Sequence, residues 1–196
     1  VKKVLVIGAE RLSRLLDWND RGTAVIFGDG AGAVVLEAGE NYLDAVFDVK
    51  GGDDVIDIPQ PVGMSPFYER GQEKKPYIHM AGQETFKFAV TAICRDCKEI
   101  LERNGLTFDD IAYIVPHQAN VRIIEAVAHR MEVPMDKVLV NIEHYGNTSA
   151  ATLPLCIWDF EDKLKKGDNI IFTAFGAGFT WGAVYVKWGY DGKKES

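Results

Sequence analysis

A histidine and an asparagine occupy matching places in this chain, each where an apolar run gives way to an amphipathic one. In IVPHQANVRII, residues 114–124, the apolar run ends at Pro116 and His117, Gln118, Ala119 and Asn120 follow. In EHYGNTSAATLP, residues 143–154, Gly146 allows a tight turn and Asn147 precedes a segment that starts with small residues. Both read as strand-to-helix corners. Sites in open α/β sheets form at the carboxyl ends of strands, and the N-terminus of the next helix carries a partial positive charge. That field disfavours an imidazolium and favours a neutral ring, which can donate a hydrogen bond to a developing oxyanion. Asn is also a neutral donor, so two such corners can point one His and one Asn at the same spot. The plainer readings are a packing histidine and an ordinary Asn cap, with Ser149, Ala150 and Ala151 permitting close helix packing.

The other reactive residues offer less. His79 and His144 read as structural or loop residues and His129 as part of a solvated helix face. None has a partner at metal-ligand spacing, so no metal site is expected. Cys94 and Cys97 form a C-x-x-C inside a long helical pattern. A redox or zinc site needs a loop or helix start, and zinc needs a second pair. Together with Cys156 they read as buried helix residues, and no cysteine stands where an activated nucleophile would. The glycines of FGDGAG, residues 27–32, could cradle a phosphate with their amides. The stretch lacks the Lys-Ser/Thr ending of a nucleotide loop, and close backbone approach explains it better.

These residues need elements to hold them. Residues 4–8 form an almost uniformly apolar run, the pattern of a strand buried on both faces of a sheet. A short helical stretch follows near Glu10–Asp17. Thr23–Phe27 and Ala33–Leu36 read as a hairpin with a glycine-rich bend. Further strands are expected at Asp44–Lys50, Tyr77–Met80, Ile111–Val115, Val138–Ile142, Asn169–Phe175 and Thr180–Trp188. Helical spacing spans Gly82–Asn104, stopped by Gly105, then Val121–Met131 and Thr148–Leu164. Gly51–Pro76 is mostly loop, and its length hints at function. Alternating strands and helices indicate an α/β layered fold. VIFGDGAGAVVL (25–36) also echoes TAFGAGFTWGAVYV (173–186), which suggests two related halves.

The bulk composition narrows the function. With 196 residues, 47% of them hydrophobic, the chain can bury a real core. A net charge of −7 argues against nucleic acid as a partner, because phosphate binding needs a basic face. No apolar run approaches the ~20 residues that span a membrane. Three cysteines fit a reducing cytoplasm better than a disulfide scaffold. The opening VKKVLVIGAE reads as a strand and not as a secretory signal. Because domains seldom begin on their most buried strand, a longer parent protein is expected.

In combination, PHQANVRII, GNTSAATLPL, AFGAGFTWGAVYV and DRGTAVIFGDGAGAVVL resemble β-ketoacyl-acyl-carrier-protein synthase III, the thiolase-fold family that starts bacterial fatty acid synthesis. The likeness runs from the first strand to about Trp188. Elongating ketosynthases use Cys-His-His, whereas here the second histidine's place is taken by the Asn of GNTS. The resemblance implies a mixed five-stranded sheet flanked by helices, with residues 1–40 ending an N-terminal thiolase-like half and 41–196 forming the C-terminal half. It implies a Cys-His-Asn site in which His117 and Asn147 are the second and third members. Cysteine takes an acyl group from acyl-CoA, with acetyl-CoA the expected starter. His and Asn then stabilise the enolate-like charge as malonyl-acyl-carrier protein loses CO2, and the carbanion attacks the acyl-cysteine. Phe175 would border the cysteine, and the Ala177 amide would help hold the acyl-transfer oxyanion. Arg21 (at the adenine end), Gly82, Phe86, Ala119, Asn120 and Ile123 would contact CoA or phosphopantetheine. Lys87, Arg122 and Arg130 would form a basic patch for acyl carrier protein, which a negative total charge permits because steering follows the local field.

One departure is large. The family's cysteine lies upstream of Val1, and Cys94, Cys97 and Cys156 do not match it. The missing N-terminal half of the same enzyme is therefore an expected partner, alongside acyl carrier protein and acyl-CoA, and the chain alone is expected to be inactive. A cytoplasmic homodimer is expected, with coenzyme A thioester as substrate and no separate cofactor. The alternatives are a noncatalytic thiolase-like module that binds CoA or carrier protein, and another acyl-CoA condensing enzyme.

Overall fold

Every interior element follows from which residues can be covered on which side. The computed structural model describes residues 1–52, 55–59 and 76–192. Its strands are β1 (Lys3–Arg11), β2 (Asp29–Glu37), β3 (Tyr42–Gly52), β4 (Ile56–Asp57), β5 (His79–Met80), β6 (Tyr113–Pro116), β7 (Asn169–Gly176) and β8 (Gly178–Lys187). Its helices are α1 (Gly82–Asn104), α2 (Val121–Met131), α3 (Ile142–Tyr145) and α4 (Thr152–Phe160). The main sheet runs β3-β8-β7-β6. β3, β8 and β7 are antiparallel neighbours and β6 is parallel to β7, so the sheet is mixed.

Consecutive residues of β6 and β7 face opposite layers, as the two-residue strand period requires. Ile114 and Ile171 join the core made with Ala89, Ile93 and Ile100 of α1 and Ile124 and Val127 of α2. Their neighbours Val115 and Ile170 pack instead with Leu139, Cys156 and Leu164. The sheet is thus covered on both faces, which explains the continuous apolar runs. α1 has the expected bounds. Gly105 closes it in the left-handed conformation at φ +64°, its N–H donating to the Glu102 and Leu101 carbonyls, a glycine C-cap. α2 also has the expected bounds, with the Asn120 side chain accepting from Arg122 N–H at its start. The helical segment after Asn147 is a 3-10 turn at Ser149–Ala151, then α4, then a 3-10 turn at Glu161–Lys163.

Several expectations need correction. Residues 23–36 are not a hairpin. β2 pairs antiparallel with β1, with Gly30 opposite Glu10 and Gly32 opposite Gly8, while Phe27 makes a parallel bridge to Asn147. The glycines serve helix approach: a Cβ on Gly8 would lie 2.5 Å from the Ala150 backbone, and one on Gly32 2.6 Å from Pro154 Cβ. The repeat with 173–186 therefore holds for sequence but not for pairing, since β7 and β8 do form a hairpin. The phosphate-cradle alternative also fails on shape, because residues 30–32 lie extended in the β1–β2 ladder instead of curling as a loop, and Gly28 N–H donates to the Asn147 carbonyl.

β1 is not buried on both faces. In residues 1–196 taken by themselves, Val4, Leu5, Val6 and Ile7 are 44–63% exposed, because β1 and β2 form a two-stranded ribbon packed along the Ser149–Ala151 turn and α4. Among the described residues the main sheet has four strands, where five were expected. Residues 138–142 give only a single bridge, Ile114 to Val138, since Asn141 turns the chain into α3. The helical stretch expected at 10–17 shrinks to a 3-10 turn at Leu12–Leu15. The expected Gly51–Pro76 loop lies largely outside the described residues, although Ile56–Asp57 pairs with His79–Met80.

Candidate active site

His117 sits one residue beyond β6. Its N–H donates to the Thr173 carbonyl at 2.7 Å, which prolongs the β6–β7 pairing and fixes the corner. The next residue locks the turn from behind. Gln118 is fully buried; its Nε2 donates to the Pro116 and Leu139 carbonyls at 2.8 and 3.1 Å, and its Oε1 accepts from Asn141 N–H at 3.0 Å. Asn141 Nδ2 donates to Asp159 on α4, and the Tyr145 hydroxyl donates to the same carboxylate. The Gln118 amide thus ties the His117 corner to the segment that leads into the Asn147 corner.

Asn147 is held by the N-terminal part of the chain. Its N–H donates to the Ile26 carbonyl and its own carbonyl accepts from Gly28 N–H, both at 2.9 Å. A Cβ on Gly28 would overlap the Tyr145 carbonyl oxygen, so this bridge needs glycine. Gly146 turns the chain at φ +67°, a conformation that glycine adopts freely. The Asn147 side-chain oxygen accepts from Ser149 N–H at 2.9 Å, an Asx turn. Because a backbone N–H can pair only with Oδ1, the amide orientation is set and Nδ2 is left as the donor.

Both side chains open onto one cavity of about 690 Å³. Its wall includes His117, Asn147, Phe175, Ala177, Gly82, Phe86, Ala119, Asn120 and Ile123, with Leu12, Phe27, Phe47, Ile78 and Trp181 supplying apolar surface. The Phe175 ring meets the His117 ring edge to face at 5.9 Å. Burial pushes the His117 imidazole down to about 4, so the ring is neutral at ordinary pH, as its place before the positive end of α2 also favours. Two neutral donors beside an apolar wall suit a reaction in which negative charge develops on oxygen.

Arg21 is exposed and stands beside the cavity-wall residue Gly22 rather than on the wall. Lys87 on α1 and Arg122 and Arg130 on α2 are exposed on helices that pack together. His79, His129 and His144 are exposed. Cys94, Cys97 and Cys156 are free and buried, and burial pushes all three thiols up, Cys156 to about 12. None lines the cavity. Among the described residues, no group of three His, Cys, Asp or Glu side chains could hold a metal ion. No helix there is long and apolar enough to cross a membrane.

Sequence reasoning missed Gln118 as the lock of the corner and missed Thr152 altogether. Thr152 Oγ1 lies 2.6 Å from His117 Nδ1. The one available signal was a polar residue heading the otherwise apolar run TLPLCIW.

Two family models match the chain. The model described as 3-oxoacyl-[acyl-carrier-protein] synthase III matches residues 1–54, and its C-terminal counterpart matches residues 101–188. The chain is 60% identical over 200 aligned residues to beta-ketoacyl-[acyl-carrier-protein] synthase III 2 of Bacteroides thetaiotaomicron, covering 100% of this chain and 60% of that protein. It is 53% identical over 195 residues to the corresponding synthase III of Porphyromonas gingivalis, covering 97% of this chain and 58% of that protein. Among solved structures, 3-oxoacyl-[acyl-carrier-protein] synthase III from Aquifex aeolicus superposes with a TM-score of 0.85 at 42% identity, over 95% of this chain and 58% of that one. The enzyme from Thermus thermophilus gives a TM-score of 0.83 at 41% identity, over 96% of this chain and 60% of that one. The chain therefore spans about three fifths of the length of these relatives, and its thiolase-like fold is theirs.

Proposed function

The chain belongs to the 3-oxoacyl-[acyl-carrier-protein] synthase III family, and on that premise we propose that it carries the His–Asn part of a site for decarboxylative Claisen condensation. A cysteine thiolate from the part of the protein preceding these residues attacks an acyl-CoA, and CoA leaves as its thiolate, which takes a proton from solvent. The malonyl thioester of acyl carrier protein then loses CO2, and the electron pair of the broken C–C bond passes into a thioester enolate. His117 Nε2–H and Asn147 Nδ2–H donate to the enolate oxygen. The enolate carbon attacks the acyl-cysteine and expels the thiolate, which yields the ketoacyl product. The observation that carries this reading is that two neutral donors, His117 just after β6 and Asn147 just after the short helix α3 where a strand was expected, line one largely apolar cavity.

Phe175 would border the cysteine, and the Ala177 amide would bind the acyl-transfer oxyanion. Gly82, Phe86, Ala119, Asn120 and Ile123 would line the phosphopantetheine path, Arg21 would meet the adenine end, and Lys87, Arg122 and Arg130 would receive the carrier protein. Acetyl-CoA is the proposed starter, the thioester is a substrate with no further cofactor, and the working protein is a cytoplasmic homodimer. Residues 1–40 would end one thiolase-like half, and 41–196 would make the other.

In the full-length protein, His117→Ala and Asn147→Ala should each reduce malonyl decarboxylation by about 10²–10³-fold, the loss typical of one oxyanion donor, and reduce acyl loading less. Equal losses in the two half-reactions would remove the role assigned here. Residues 1–196 alone should form no stoichiometric acyl-enzyme from acetyl-CoA, because Cys94, Cys97 and Cys156 are buried away from the cavity. Stoichiometric acylation of this segment would contradict the need for an upstream cysteine.

A further inference from the structure

A neutral imidazole donates from only one nitrogen, so His117 can serve as an oxyanion donor only if Nε2 carries the proton. We propose that Thr152 is the positioning residue that sets this tautomer, by donating its hydroxyl hydrogen to His117 Nδ1.

Three observations carry the proposal. The first is distance. Thr152 Oγ1 and His117 Nδ1 are 2.6 Å apart. At that separation the two atoms share one hydrogen bond, and a ring protonated at Nε2 has only a lone pair at Nδ1, so in that tautomer the hydroxyl is the group with a hydrogen to give. The second is competition. Thr152 Oγ1 also stands 3.0 Å from the Ser149 carbonyl, but that oxygen already accepts the Thr152 backbone N–H. Sending the hydroxyl hydrogen to Nδ1 therefore leaves no carbonyl unpaired. The third is burial. Thr152 is 2% exposed, so water does not compete for its hydroxyl, and with Nδ1 engaged the ring presents Nε2 to the cavity.

The same turn sets the second donor. Ser149, in the left-handed region at φ +50°, gives its N–H to Asn147 Oδ1, while Thr152, three residues on, holds His117. One five-residue backbone piece, 148–152, thus turns the acceptor atoms of both side chains away from the cavity and their donors toward it. A valine at 152 would keep the shape and remove the hydroxyl. Nδ1 would then lose its donor, and the Nδ1–H tautomer, whose Nε2 lone pair repels an oxyanion, would become available.

The test reads the proton directly. In full-length protein with ¹⁵N-labelled histidine, side-chain ¹⁵N shifts separate protonated from unprotonated ring nitrogens, and the His117→Gln spectrum assigns the signals. Wild type and Thr152→Ser should both show protonated Nε2 and bare Nδ1, and Thr152→Val should shift toward protonated Nδ1. Protonated Nδ1 in wild type, or an unchanged tautomer in Thr152→Val, overturns the proposal. If Thr152→Val does not fold, wild type and Thr152→Ser still decide: a protonated Nδ1 in either overturns it. The catalytic consequence rests on the condensation proposed above. There Thr152→Val should slow malonyl decarboxylation by up to about 10²-fold, the lower end for loss of one oxyanion donor, with Thr152→Ser restoring it. A shifted tautomer without that slowing leaves Thr152 as tautomer setter and refutes His117 as enolate donor.

Discussion

Replacing His117 by Gln should remove a specific slope from the dependence of stability on pH. An unfolded chain takes up the His117 proton as pH falls through 6.5, whereas the folded chain keeps the ring neutral until about pH 4, because burial penalises the charged form. Between those values the unfolded state binds more protons, so stability falls as pH falls. The contribution is fully present above pH 6.5 and is lost on the way down to pH 4. One pKa unit corresponds to about 1.4 kcal/mol, so wild type should lose about 2 kcal/mol relative to His117→Gln at pH 5 and about 3 kcal/mol at pH 4. These are upper values, since the His117 residue is only half-buried and solvent screens part of the effect. The assay is urea unfolding of full-length wild type and variant at half-unit steps from about pH 7.5 to pH 4, comparing the difference between the two curves. Carboxylate titration affects both proteins and cancels in that difference. Parallel curves would show that the ring is not held neutral by burial and would refute the reasoning.

Two further substitutions test how the corners are held. Gly28→Ala would place a methyl group on the Tyr145 carbonyl oxygen, which is backbone and cannot swing aside; it should cost about 1–3 kcal/mol by overpacking and lower the unfolding temperature. By displacing Asn147 it should also slow malonyl decarboxylation, up to about 10²-fold for a 1 Å shift, while acyl loading suffers less, as single-turnover kinetics would show. Gln118→Leu keeps the volume but strands the Pro116 carbonyl and the Asn141 N–H in the interior and leaves the Leu139 carbonyl only the weak Cys156 thiol donor; at about 1.5 kcal/mol for each of the two orphaned groups the total is roughly 3 kcal/mol, and calorimetry should find the transition about 6–12 °C lower for a chain of this size.

The sequence by itself determined what depends on local periodicity and residue chemistry. The bounds of α1 and α2 came directly from helical spacing, with Gly105 and Asn120 as their punctuation. His117 and Asn147 stood out in the sequence as candidates because each is a polar side chain at a turn beside an apolar segment, alongside the plainer readings of a packing histidine and an Asn cap. The motifs they stand in also carried the family. Tertiary structure alone decided who pairs with whom. Alternation and glycine content mark 29–37 as a strand but carry no record of its partner, so the true ladder with β1 was invisible while a local hairpin looked sufficient. Residues 138–142 have a strand's composition, yet their backbone groups go to Gln118 and to a single bridge at Val138, a choice made by a side chain more than twenty residues away. The exposure of β1 follows from what packs on the ribbon and not from its own residues. Thr152 belongs to the same class. Its hydroxyl matters only because folding brings it within 2.6 Å of a ring thirty-five residues away, and a hydrogen bond fixed by three-dimensional proximity leaves no period in the sequence.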